Sequence, residues 1–371
     1  MKKLIINIVV VGVVLTVAGV AVAIPRATSG AGPVPPGTTA TSVTFISSQT
    51  TFVLGTAPCA HRPCTVILRS TDRGGVWQGL PAPVERVSAP YGHGLWGLRF
   101  ADAQRGYAYG DGLWATADGG AGWHRAPAPA RYVADLAPVR DSELVALAQG
   151  CGQASSRCAD RLSLYHRPIA GGRWRRVATG GRSAFDESIA VHGSVVWALA
   201  GTRLWVSVDG GRSFHADAQP CPSHGSSLPE PAAISDDGTN TYLLCTGQGF
   251  TGHTVKYLYR TAGTGSAWKL IGRPPVAGDG GTLAAGSGSA LVLATASAAS
   301  WLDRSVDGGH HWRTPLSYGD GGEGWADLGF TTAADGVVIH GPAQTDGGSS
   351  SYPGQLLLTG DGGRTWQVTP F

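Results

Sequence analysis

Phe100-Ala-Asp102-Ala-Gln-Arg-Gly106-Tyr-Ala-Tyr-Gly110, continuing through Leu113 into Thr116-Ala-Asp118-Gly-Gly120-Ala-Gly-Trp123, is the stretch on which the fold turns. It reads as short strands joined by tight turns. Gly110-Asp111-Gly112 closes the first turn, and Thr116 with Asp118 can bond nearby backbone groups to close the second. Gly120 supplies the positive φ that such a turn needs, and Trp123 enters the following strand. The second turn recurs as Ser70-Thr-Asp72-Arg-Gly74-Gly-Val-Trp77, Ser207-Val-Asp209-Gly-Gly211-Arg-Ser-Phe214, Ser305-Val-Asp307-Gly-Gly309-His-His-Trp312 and Thr359-Gly-Asp361-Gly-Gly363-Arg-Thr-Trp366. Two decayed copies fill the gaps. Thr261-Ala-Gly-Thr-Gly265-Ser-Ala-Trp268 lacks the Asp, and Ala170-Gly171-Gly172-Arg-Trp174 keeps only the turn and the aromatic.

The closing aromatics fall at 77, 123, 174, 214, 268, 312 and 366, so the period runs from 40 to 54 residues. A period of roughly 40–50 residues matches four-stranded propeller blades. The expected fold is therefore all-β: a single seven-bladed β-propeller of four-stranded antiparallel blades over residues 42–371. Composition agrees, since 56 Gly and 23 Pro suit many short strands and tight turns, and 42% hydrophobic residues can fill a large core. Only 14% of residues are charged, with a net +3, which gives neither a basic footprint for nucleic acid nor an acidic tail.

Met1-Lys2-Lys3 precedes an apolar run from Leu4 to Ala23. Lysines before such a run place its N-terminus in the cytoplasm. Ala21-Val22-Ala23 fits a cleavage site, whereas the length of the run fits a membrane span. Residues 1–26 read as a signal peptide or a transmembrane anchor, and 27–41, rich in Gly, Pro, Ser and Thr, as a flexible spacer. Either way the body lies outside the cytoplasm, secreted or held at the plasma membrane by its N-terminus. Six cysteines allow 15 pairings. Proximity favours Cys59–Cys64 and Cys151–Cys158, which leaves Cys221–Cys245. Zinc is the rival, with His61 and His224 near cysteines, but no CxxC pair exists and an oxidising compartment allows disulfides.

The repeated turn resembles the Asp-box, or BNR, repeat of sialidases, sortilin-type receptors, some xyloglucan hydrolases and photosystem II assembly factors. The resemblance covers nearly all of residues 42–371, and the stretch from Phe100 to Trp123 is the best match. It implies that the box lies on the hairpin between the third and fourth strands, away from the ligand face. Asp72, Asp118, Asp209, Asp307 and Asp361 are then structural.

Strand direction alternates, so the box turns share one face with the first hairpin of each blade. The other face carries the middle hairpins and the blade-to-blade loops. Middle hairpins are short at Gly110-Asp111-Gly112 and Gly201-Thr202, and long at 59–64, 151–158, Gly247–Thr254 and Pro342–Gly354. Tyr91, His93, Trp96, Arg131, Tyr132 and Trp325 fall on or near the blade-to-blade loops, as do the carboxylates Asp186, Glu187, Glu230, Asp279 and Glu323. Aromatics beside carboxylates and Arg suit a sugar or a peptide segment.

Two functions follow. One is a non-catalytic binding module, monomeric and without cofactor or metal, that presents this face to a protein partner or a cell-envelope glycan. The other is a glycoside hydrolase of sialidase-like type, which needs paired carboxylates or a Tyr, Glu and Asp set with three Arg. The sialidase Arg-Ile-Pro motif is absent from blade one, and sialidases have six blades. No nucleophile elbow or calcium loop appears, and His310-His311 lies inside a box turn.

Overall fold

The computed structural model describes residues 31–371 except 91, 141, 152–160, 182–186, 201–202, 222–229, 287–288 and 342–353, and the side chains of 230–232. Its strands form seven four-stranded antiparallel sheets, each taking four strands consecutive in the chain. Blade one holds β1 (Thr39–Phe45), β2 (Thr51–Ala57), β3 (Cys64–Ser70) and β4 (Gln78–Leu80). Blade two holds β5 (Leu95–Phe100), β6 (Gly106–Gly110), β7 (Gly112–Thr116) and β8 (His124–Arg125). Blade three holds β9 (Tyr132–Val139), β10 (Glu143–Gln149), β11 (Ser163–Pro168) and β12 (Arg175–Thr179). Blade four holds β13 (Ser188–His192), β14 (Val195–Ala200), β15 (Arg203–Ser207) and β16 (His215–Asp217). Blade five holds β17 (Glu230–Asp236), β18 (Thr241–Phe250), β19 (His253–Thr261) and β20 (Lys269–Gly272). Blade six holds β21 (Asp279–Ala285), β22 (Leu291–Ala296), β23 (Ser300–Ser305) and β24 (Arg313–Tyr318). Blade seven holds β25 (Trp325–Phe330), β26 (Gly336–His340), β27 (Gln355–Thr359) and β28 (Gln367–Thr369).

The first strand of each blade contacts the first strands of its neighbours, and β1 meets β25 to close the ring. Burial follows from this. The second strands read as continuous apolar runs because both faces are covered; β10 is buried at all seven positions. The core is not one mass but seven clusters, one between each pair of blades. Phe52 on β2 stacks on Phe100 on β5 with ring centroids 3.6 Å apart. Tyr242 and Leu258 of blade five pack against Leu283 and Leu293 of blade six.

Every repeated turn joins the third and fourth strands of its blade, and five share one hydrogen-bond scheme. In blade four, Ser207 Oγ donates to Asp209 Oδ1 at 2.7 Å, Gly211 N donates to Ser207 Oγ at 2.9 Å, and Ser213 N donates to Asp209 Oδ1 at 3.0 Å. The set recurs around Asp72, Asp118, Asp307 and Asp361. The turn also bonds the first hairpin of its own blade, as in Gly210 N to Ser194 O at 2.9 Å and Gly362 N to Ala334 O at 2.9 Å. Box turns and first hairpins therefore share one face.

No strand is exchanged at closure: β28 belongs to blade seven and β1 to blade one. β1 (Thr39–Phe45) begins inside the expected spacer and is the innermost strand of its blade. Upstream of it, Gly32 pairs with Gly79 on β4 through two 2.9 Å backbone bonds, so part of the expected spacer lies along the outer edge of blade one. Two disulfides are present, Cys59–Cys64 across a middle hairpin and Cys221–Cys245 from a blade-to-blade loop to β18. The third expected pair lies outside the described residues, because Cys158 does.

Candidate functional site

On the face opposite the boxes, three segments converge between blades one, two and three. The loop from β4 to β5 brings Glu85, Arg86 and His93; the turn from β6 to β7 brings Asp111; the loop from β8 to β9 brings Arg131. They surround a cavity of about 570 Å³. Asp111 is fixed first, since its N–H donates to Gly94 O at 2.9 Å and its backbone bridges to Tyr132. Its carboxylate then has a basic side chain on each side: Oδ2 lies 3.2 Å from His93 Nδ1, and Oδ1 accepts from Arg131 Nε at 3.4 Å. Arg86 donates from Nε to His93 O at 2.5 Å, which ties the two ends of the loop together.

Arg125, at the end of β8, lies over the hairpin. A Cβ on Gly112 would stand 3.4 Å from its Nη2, and Gly112 has φ +116°, so a glycine there serves both the turn and the guanidinium. The opposite wall is Ala126-Pro127-Ala128-Pro129-Ala130, whose three alanines line the cavity. Proline fixes φ, which stiffens that wall. Three guanidiniums, those of Arg86, Arg125 and Arg131, stand against two carboxylates, those of Glu85 and Asp111, an excess of one positive charge with His93 neutral.

Glu85 and Arg86 also line a second cavity of about 660 Å³. Its walls are rich in proline and aliphatic side chains, with Pro33, Pro63, Pro81, Val66, Ile67 and Leu80, and they also carry Arg62 and Thr65. The segment around Gly32 and the Cys59–Cys64 hairpin bound it. The two cavities share Glu85 and Arg86 and so form one trough across blades one and two, cationic at one end and at the other rich in proline and aliphatic side chains with Arg62 among them. A groove of about 750 Å³ lies on the box face between blades seven and one, but Asp72 and Asp361 are engaged in their turns there, and Arg73 pairs with Asp335.

His93 and Arg131, chosen from the sequence, come together here. Other chosen residues go elsewhere. Trp96 is a wedge between blades, its Nε1 donating to Val133 O at 3.3 Å and its ring meeting Tyr109 edge-on at 5.6 Å. Tyr132 is fully buried in the cluster between blades three and four, and burial pushes its phenol well above the ordinary tyrosine range. Trp325 fills the gap between blades six and seven and donates to Thr295 O at 3.0 Å. Asp279 accepts from Thr254 Oγ1 at 2.9 Å, while Glu187 and Glu323 are half-buried. Tyr91, Asp186 and the side chain of Glu230 lie outside the described residues. Among the described residues no three His, Cys, Asp or Glu side chains gather as a metal site.

The sequence passed over a second polar group, near the axis. Arg99 on β5 donates to Asp327 Oδ1 on β25 at 3.2 Å and lies 3.9 Å from Asp135 Oδ1 on β9. Tyr109 OH donates to Asp135 at 3.1 Å. Burial pushes the Asp135 carboxyl up, against the pull of Arg99. A carboxylate, a tyrosine and an arginine in contact are the residue types of a glycosidase. Here, however, Tyr109 is fully buried, and Asp135 also accepts from Leu136 N and Ile189 N. A signal was present: Ala-Asp-Leu occurs in both first strands, as Ala134-Asp135-Leu136 and Ala326-Asp327-Leu328.

No family model matches the chain, and no curated protein matches it. Among solved structures, one described as "YCF48 bound to D1 peptide" is similar with a TM-score of 0.45 and 13% identity, over 74% of this chain and 80% of that one.

Proposed function

We propose that this chain is an exported, non-catalytic Asp-box propeller that binds a protein partner or a cell-envelope glycan through the face opposite its boxes. The observation that carries this reading is the trough across blades one and two. It is open, built from blade-to-blade loops and middle hairpins, and bounded by a disulfide-closed hairpin. Loops held on a rigid scaffold are where propellers and similar folds place recognition. Support also comes from the carboxylates. Asp111 and Asp279 hold neighbouring side chains, and Asp135 and Asp327 hold Arg99, so each already has a structural partner. The export reading rests on the N-terminal sequence and agrees with the two disulfides.

The test has two arms. Purified chain is assayed on fluorogenic sialosides and a glycoside panel, and its binding is measured on envelope glycans and on candidate envelope proteins. Binding that saturates without turnover is expected. Turnover abolished by Asp135→Asn without loss of folding would replace this reading with the hydrolase.

A further inference from the structure

We propose that the cation-rimmed cavity seats a carboxylate carried by an extended peptide, whose apolar residues lie along the proline-lined cavity beside it. This rests on the binding reading above and chooses between its two ligand classes.

The charge argument comes first. Asp111 takes up the Nε edge of Arg131 at 3.4 Å, and the Arg131 side chain is 61% exposed. Arg125 is exposed, and its side chain has no hydrogen-bond or ion-pair partner among the described residues. A guanidinium fork matches a carboxylate in two parallel bonds. Arg125 Nη2 lies 3.4 Å from the Cβ position of Gly112 and Arg131 Nε lies 3.4 Å from Oδ1 of the adjacent Asp111, so both guanidiniums reach one hairpin, where a small anion can meet both. The alanine floor leaves room for a carboxylate and its first methylenes, without a large pocket for a ring.

The second argument separates peptide from glycan. Sugar sites commonly stack a pyranose ring on an aromatic face, yet among the described residues lining either cavity there is no Trp, Tyr or Phe. The lining beside it is instead largely proline, valine, isoleucine, leucine and alanine, with Arg62 and Thr65 among them, and it leads to Arg86. Val84, 85% exposed, stands on the loop shared by both cavities. An extended chain with apolar residues and one acidic group matches that order. The acidic group is either an Asp or Glu side chain or the free chain terminus, since both present the same two oxygens.

The experiment uses the whole exported chain and a fluorescent library of proline-containing decapeptides in two arms. One arm has a free C-terminus and no acidic side chains; the other is C-terminally amidated with one glutamate scanned through each position. One arm is expected to bind more tightly than neutral amidated peptides by about tenfold or more, the scale of a charge-assisted pair. The stronger arm identifies the source of the carboxylate. Rising salt should weaken it, because the site is exposed. The double variant Arg125→Gln/Arg131→Gln should lose that preference while melting like the parent, and Arg125→Lys/Arg131→Lys should recover only part of it. Equal binding of neutral and acidic peptides, or an unchanged preference in the Gln variant, overturns the proposal. Binding confined to acidic glycans overturns the peptide but keeps the binding module. Turnover of glycosides with no binding of either class removes both.

Discussion

Gly211 and Gly265 hold the same place in their turns, with φ of +86° and +80°, yet they meet different surroundings. A Cβ on Gly211 would stand 2.2 Å from Val145 Cγ2 on the preceding blade, whereas one on Gly265 would meet nothing within 4 Å. The pattern is general. The glycines of the five complete boxes, Gly74, Gly120, Gly211, Gly309 and Gly363, all press on a Leu or Val side chain of the blade before them. In the decayed boxes Gly265 and Gly172 press on nothing. The box therefore fastens a blade to its predecessor as well as closing a hairpin, and where that contact is gone the motif has lost its Asp. Gly265→Ala should cost about 1–2 kcal/mol, the left-handed penalty alone. Gly211→Ala should cost that and about 1–3 kcal/mol more for overpacking. Equal losses in urea unfolding would show that the glycine serves only the turn. The boxed carboxylates give a second prediction. Burial raises the Asp209 pKa, but bonds from Ser213, Ser207 and the turn N–H groups together outweigh it and hold it at about 2, below an ordinary 3.8. A depressed carboxyl pKa contributes stability that is complete above the unfolded value and is lost as pH falls through the folded one. Stability should therefore drop between pH 3.8 and about 2, and Asp209→Asn should flatten that drop by the share of one proton.

At the scale of elements, Lys256 on β19 decides how blade five meets blade six. It is completely buried, and its three N–H donors are shared among five carbonyls, those of Gly278 at 2.8 Å, Ala277 at 3.0 Å and Thr254, Pro275 and Val276 at 3.3 Å. The blade-to-blade loop is thus wrapped around one ammonium. Burial pulls its pKa down to about 8, with Asp303 and Asp279 resisting. Between pH 8 and 10.5 the unfolded chain keeps a proton that the folded chain has released, so this group makes stability rise with pH. Lys256→Met should remove that rise. It should also lower stability at neutral pH by about 1–3 kcal/mol, because buried carbonyls lose their donor. Parallel stability curves for parent and variant from pH 7 to 10 would refute the assignment. The sequence showed Lys256 only as one of four lysines, because its partners are backbone carbonyls, which leave no mark on side-chain identity. The blades were legible for the opposite reason: a hairpin needs its Ser or Thr, Asp and Gly at fixed offsets. The trough was half legible. His93 and Arg131 stood out as charged groups on loops, but Arg86, Arg125 and Asp111 joined them only through the meeting of three segments. Trp96, Tyr132 and Trp325 sit at the starts of first strands, where a large ring fills the wedge between blades before it can reach a ligand.

For the whole molecule the question is what holds a ring shut when no strand crosses the join. Apolar packing contributes, through Ala40, Val43 and Trp77 of blade one against Val337, Ile339, Leu356 and Phe371 of blade seven. The directional part includes the Ala40 N–H bond to Gly354 O at 2.9 Å and the Arg73–Asp335 pair, and centres on Asp327. This residue sits at a bulge in β25 with φ +47°, a left-handed conformation that Asp tolerates better than most side chains. There its Oδ2 accepts from Ser42 Oγ at 2.5 Å and Val43 N at 2.8 Å, both on β1, while Oδ1 accepts from Arg99 of blade two. Burial opposes the Arg99 charge, but Asp327 and Asp135 outweigh it and hold its pKa above the ordinary arginine value. Through Asp135 the chain of bonds reaches Ile189 N, so one polar line joins blades seven, one, two, three and four. Asp327→Asn keeps the left-handed tolerance and the size of the side chain but removes the charge. Breaking a buried pair from one side costs about 3–5 kcal/mol, and Arg99 retains Asp135, so the loss should fall at or below the lower end of that range. Asp327→Ala should lose about 1–2 kcal/mol more, for the backbone strain that alanine bears poorly. Adding Arg99→Met to Asp327→Asn should deepen the loss, because the buried Asp135 carboxylate is then left without its cation. Hydrogen exchange locates the damage. Amides of β1 and β25 should exchange faster in Asp327→Asn, while those of β14 and β18, on the far side of the ring, keep their protection. A uniform increase around all seven blades would mean that the ring unfolds as one unit and that closure is carried by packing alone.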